Sequence, residues 1–197
     1  HILAHALDQW SGPISAIDLR GNELTSESAA IIGRAMLCHG SGKCRVEFLR
    51  CDDWSIVPEP PASQIKRHRG AHGELPTGQQ LDLTGKQLSL GSVTLMAGVM
   101  KHDTQLQRLK MRHMKIEPAA KALIGNAWLG NRHGKLHLIE YDRYRIHRKS
   151  TMIDLAGKGL MPEEVVLLAG VLKGTPTIDT VNLCNNNVGS DGGTALA

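Results

Sequence analysis

An aliphatic–Asp–Leu–x–Gly–x–x–Leu pattern recurs along this chain: AIDLRGNEL at 16–24, QLDLTGKQL at 80–88 and MIDLAGKGL at 152–160. Within each copy apolar and polar residues alternate, as in Ile17, Asp18 and Leu19, the period of a short strand with one buried face. After the turn that follows, apolar residues return at helical spacing. The pattern predicts strand–turn–helix units that start at Ile17, Leu81, Leu109, Ile153 and Val181, with two adjacent pairs (81 to 109, 153 to 181) 28 residues apart. Fourteen residues beyond the first four starts lie Ile31, Leu95, Leu123 and Leu167. Sixteen beyond lie Gly33, Ala97, Gly125 and Ala169, and nineteen beyond lie Met36, Met100, Trp128 and Leu172. The small column is expected to face the sheet, so that helix and strand approach closely.

Helix signals agree with these boundaries. Pro162 with Glu163 and Glu164 opens one helix, which Lys173, Gly174 and Pro176 close, and Glu117–Pro118 opens another. Two units lack a helical period. A strand around Cys44, Val46 and Phe48 starts 29 residues after Ile17 but leads into a Pro-, Gly- and base-rich stretch at about 54–78. A strand around Leu136 and Leu138 starts 27 after Leu109 and is followed only by residues 141–150 before the next strand. Both read as units whose helix is replaced by a loop. Ile2, Ala4 and Leu7 match helix columns, and Ala197 falls on the small column, so partial units are expected at 1–13 and 178–197. Such units need neighbours to cover their faces, which suggests a segment of a longer array.

Extended, the pattern reads Ile14-x-x-Ile17-x-Leu19-x-x-Asn22-x-Leu24 at one end and Ile178-x-x-Val181-x-Leu183-x-x-Asn186-x-Val188 at the other. This resembles the leucine-rich repeat proteins, and the 28-residue unit with a full helix is similar to their ribonuclease-inhibitor subtype. The resemblance implies an α/β solenoid over residues 1–197, a single domain with a curved parallel sheet inside, helices outside and two helix-less irregular repeats. It implies a non-catalytic scaffold or docking module that binds protein partners, as a subunit of a larger assembly, with no cofactor. The Ran GTPase-activating proteins share the subtype, which makes GTPase regulation an alternative, although no residue here matches their functional site.

Composition narrows the picture a little. Aromatic residues are 3% of the chain, so the core must come from Leu, Ile, Val, Ala and Met, as thin similar layers allow. A net charge of +4 permits RNA or anionic lipid as partner without arguing for either. Cys38, Cys44, Cys51 and Cys184 form no CxxC pair, which favours reduced thiols in a cytoplasmic or other reducing compartment. No apolar run approaches a membrane span. The chain begins at His1, so organelle targeting stays open.

Candidate chemistry is sparse. Gly85-Lys86 and Gly157-Lys158 lack the first glycine and the Ser/Thr of a phosphate loop and read as turns. Cys38, His39, Cys44 and Cys51, with His68 and His72, lack zinc-site spacing and read as structural. Basic clusters at Lys66, Arg67, His68 and Arg69, and at Arg143, Arg145, Arg148 and Lys149, fall in the two helix-less units. They are either solvated loops or docking patches for an acidic protein, lipid or RNA. On the strands, the residues facing away from the core are Asp18, Glu47, Asp82, Lys110, His137, Asp154 and Asn182. Asp18, Glu47 and Asp82 would form an acidic row offset by Arg20, next to a basic patch of Arg108, Lys110 and Arg112. This set is the expected partner-binding face, against the alternative of an internally balanced charge ladder.

Overall fold

The computed structural model describes residues 16–38, 48–51, 55–56, 79–103, 106–132, 134, 136, 138–147 and 149–197. It is a mixed α/β fold with a parallel-dominated sheet. The described strands are β1 (Ala16–Asp18), β2 (Phe48–Arg50), β3 (Ser55–Ile56), β4 (Gln79–Asp82), β5 (Leu106–Met111), β6 (Leu138–Tyr141), β7 (Arg145–His147), β8 (Met152–Asp154) and β9 (Thr180–Asn182). The helices are α1 (Ser26–Cys38), α2 (Leu90–Met100), α3 (Pro118–Gly130), α4 (Pro162–Lys173) and α5 (Gly189–Leu196). Strands run in the order β1-β2-β3, β4-β5-β6-β7 and β8-β9.

The five predicted starts all lie on strands, with Leu81 beside Leu109 and Ile153 beside Val181 in parallel pairs. The same main-chain bonds tie both pairs: Leu83 N–H donates to Lys110 O and Gly85 N–H to Arg112 O, just as Leu155 donates to Asn182 O and Gly157 to Cys184 O. The conserved geometry of the turn explains the glycine of the motif. Four residues past each start the backbone is left-handed, at Gly21, Gly85, His113, Gly157 and Asn185 (φ +54° to +71°), a conformation glycine adopts without the steric cost of a Cβ. The motif aspartate has a local role as well. Asp18, Asp82, Asp154 and the equivalent Asn182 each accept the amide two residues on, at 3.0–3.1 Å, which closes an Asx turn.

The two helix-less units correct the sequence reading. Each continues into a short returning strand, β3 antiparallel to β2 and β7 antiparallel to β6, while the rest of the loop expected at about 54–78 lies outside the described residues. Their registers also shift. Ile17 lies beside Leu49, and Leu109 beside Ile139, three residues later in each case than Val46 and Leu136. Hairpins bury their own alternate residues, with Ile146 fully buried opposite Ile139, so a two-residue period hidden in the basic run was the signal overlooked.

In the helix layer, α1 packs directly on α2 and α3 directly on α4. Gly33 and Gly125 of the small column sit at these crossings rather than against the sheet, met by Gly98 and Gly170 from the other helix. A Cβ on Gly33 would sit 2.5 Å from Thr94 O, and one on Gly125 would sit 2.5 Å from Val166 O. Glycine is needed there because bare backbone meets backbone, whereas a helix-to-sheet gap of about 10 Å is filled by large side chains. Each crossing is closed by a lysine at the C-terminal end of the second helix: Lys101, just past α2, donates from Nζ to Leu37 O, and Lys173, the last residue of α4, to Leu129 O. The core between helices and strands is aliphatic and methionine-rich, with Met36, Leu83, Leu95, Met96, Met100, Leu109, Met111 and Ile124 fully buried. Among the described residues, no helix is long and apolar enough to cross a membrane.

Candidate functional site

Two features hold functional groups: the exposed strand face and a buried polar cluster. On the face, Cα partners follow the order Asp82, Lys110, Glu140, Arg145. Neighbouring strands are about 4.8 Å apart, close enough for cross-strand charge pairs. Lys110 Nζ lies 3.7 Å from Asp82 Oδ2, and Arg145 Nη2 lies 3.2 Å from Glu140 Oε1. The row therefore alternates in sign. Partial burial raises the Asp82 carboxyl, but hydrogen bonds from Thr84 and the Lys110 charge outweigh it and hold the group below its ordinary value.

The expected acidic row is not formed. The partner of Asp18 is Arg50, and Glu47 lies outside the described residues. The partner of Lys110 is Glu140 in place of His137, and His137 also lies outside them. Asp18 is held by its own Arg20, through Nη2–Oδ2 at 2.7 Å and Nε–Oδ1 at 3.0 Å. The three-residue register shift is the reason: it brings arginine and glutamate to positions that simple period counting had filled with glutamate and histidine. Asp154 and Asn182 are paired neighbours on β8 and β9, each engaged in its turn. Arg108 and Lys110 lie on β5, alternating with the buried Leu109 and Met111, and Arg112 is exposed in the turn just beyond it.

The basic clusters fare differently from expectation. Lys66, Arg67, Arg69 and Arg148, like His39, Cys44, His68 and His72, lie outside the described residues. Arg145 is on β7 rather than a loop and pairs with Glu140, while Arg143 donates to Lys158 O and approaches Glu164 Oε2 at 3.5 Å. Lys149 is exposed. Half of this cluster thus spends its charge inside the fold.

The buried cluster was not legible beforehand. Glu164, 2% exposed in the first turn of α4, accepts from Tyr141 Oη at 2.5 Å and Lys121 Nζ at 2.9 Å through Oε1. Its Oε2 accepts the Met161 amide at 3.1 Å, capping the helix. Lys121 also lies over the Tyr141 ring, and the Tyr144 ring sits 5.2 Å from that of Tyr141. Tyr144 Oη is buried without a hydrogen-bond partner among the described residues. Burial, reinforced by Glu164, pushes the Tyr141 hydroxyl up to about 12. Burial works against both ions of the pair, yet their mutual contacts and Tyr141 win: Glu164 is held below its ordinary value and Lys121 above its own. The cluster joins α3, β6, the β6–β7 turn and α4. A signal existed, since both tyrosines of the chain fall in this hairpin.

Glu164, Lys121 and the Tyr141 hydroxyl engage one another and Glu164 is nearly sealed from solvent, so the cluster ties α3, the hairpin and α4 together. Comparison with protein-family models and with curated proteins finds no match to this chain.

Proposed function

We propose that the chain is part of a leucine-rich-repeat solenoid and acts as a non-catalytic protein-binding module. The observation that carries this reading is the partly exposed row Asp82, Lys110, Glu140, Arg145, held at fixed spacing on a sheet whose other face is buried. Alternating fixed charges contribute little to stability at a surface, but they discriminate well between partners, because a mismatched charge pattern is penalised. The layered main-chain bonds, the left-handed column and the Asx turns all support stacked units of one kind. The pairing of Arg143 and Arg145 within the fold weighs against docking of RNA or lipid through this hairpin.

The test exchanges the charges of one pair, Glu140→Arg with Arg145→Glu. The ion pair between the two positions survives in reversed order, but the arginine at 140 then faces Lys110, so urea unfolding is expected to show a loss of about 1 kcal/mol with the fold retained. The row changes from alternating signs to − + + −, so partners captured by crosslinking and affinity purification are expected to be lost. Capture of the same partners in the same yield would refute the reading.

A further inference from the structure

The centre of the strand face carries a more specific feature. Arg108 and Lys110 alternate along β5, both partly exposed, with Cα atoms about 6.8 Å apart at roughly 3.4 Å per residue, and the exposed Arg112 follows in the turn just beyond the strand. The two ends of this stripe are uncancelled. Arg108 lies between Gln80 and Leu138, both neutral, and neither Arg108 nor Arg112 has an ion pair among the described residues. The acids nearby are engaged: Asp82 with Lys110 and Thr84, Glu140 with Arg145, and Asp142 with the His113 amide at 2.7 Å. Arg108 Nε is buried with no acceptor among the described residues, a costly position for a donor.

We infer that this stripe binds an acidic peptide segment in extended conformation, with carboxylates at three alternate positions; the inference rests on the protein-binding reading above. An extended chain places alternate side chains on one side at the period that separates Arg108 from Lys110, so two carboxylates meet these cations in register and a third reaches toward Arg112 in the turn beyond. Arginine at both ends suits planar carboxylates, which its guanidinium engages through two parallel hydrogen bonds.

The whole chain is titrated against three fluorescein-labelled probes and read by anisotropy: a nine-residue peptide with glutamates at three alternate positions, its isomer with the three glutamates contiguous, and a nine-nucleotide oligouridylate. The alternating peptide is expected to bind at least tenfold more tightly than its isomer. Arg108→Gln with Arg112→Gln is expected to remove that preference, whereas Arg34→Gln on the exposed side of α1 leaves it intact; circular dichroism checks that each variant is folded. Equal binding of the two peptides, tighter binding of the oligouridylate, or an unaffected Arg108/Arg112 variant would each overturn the inference. If peptide discrimination fails while the Glu140/Arg145 exchange abolishes partner capture, only this inference falls. Discrimination in a chain whose exchanged variant still captures every partner would instead sink the broader reading.

Discussion

Removing the carboxylate of Glu164 tests how α3, α4 and the β6–β7 hairpin are held together. Glu164→Ala deletes the acceptor of Tyr141 Oη, Lys121 Nζ and the Met161 amide at once. The Lys121 side chain is only 19% exposed, so its ammonium is left largely desolvated without its counter-charge. Breaking a buried pair in this way costs about 3–5 kcal/mol, and the partial exposure of Lys121 places the expectation near the lower end. Glu164→Gln keeps the shape and one acceptor and should cost less than Ala but more than about 1 kcal/mol, the usual worth of a hydrogen bond. For a domain of this size, roughly 3 kcal/mol corresponds to a fall in Tm of about 6–12 °C. The pH profile supplies an independent check. Because the folded Glu164 is held below its ordinary value, its contribution is complete above the unfolded carboxyl pKa and fades as pH falls through the folded one. Urea unfolding between pH 7 and pH 3 should therefore show a gap between wild type and Glu164→Gln that narrows in acid. A gap below about 0.5 kcal/mol at pH 7, or one that is constant with pH, would refute the account of the cluster as a charged lock.

Two further predictions concern glycine. Gly125→Ala drives a Cβ into Val166 O and should destabilise by about 1–3 kcal/mol, the range for overpacking, whereas Gly193→Ala on α5 has open space around it and should stabilise by up to about 1 kcal/mol through helix propensity; urea denaturation compares them, and equal effects would contradict the backbone crossing. At the left-handed column, Gly157→Ala has no steric neighbour yet should cost about 1–2 kcal/mol from its positive φ alone, while His113→Gly should gain stability in thermal melts, less whatever the His113–Asp142 side-chain contact contributes.

How much of this was readable in the residues can be followed position by position. The strand–turn–helix units, their starts and the proline and glycine boundaries of α3 and α4 were legible, because period-2 and helical patterns and turn chemistry are local. Ile17, Leu81, Leu109, Ile153 and Val181 name their own strands for that reason. The irregular units were misplaced because register belongs to pairs of strands: a three-residue slip that preserves alternation elsewhere puts Arg50 beside Asp18 and Glu140 beside Lys110, and no single segment reports it. The destination of the small column was likewise decided between helices, not within one.

By itself, then, the sequence determined the elements, the left-handed turns and the role of the motif aspartates, all set by interactions reaching a few residues along the chain. Tertiary structure alone decided that the acids and bases of the strand face alternate, and that Lys121, Tyr141 and Glu164, spread over 44 positions of the chain, meet in one buried cluster. The physical reason is that charge pairing and desolvation depend on distance in space, which the packing of hairpin against helices sets.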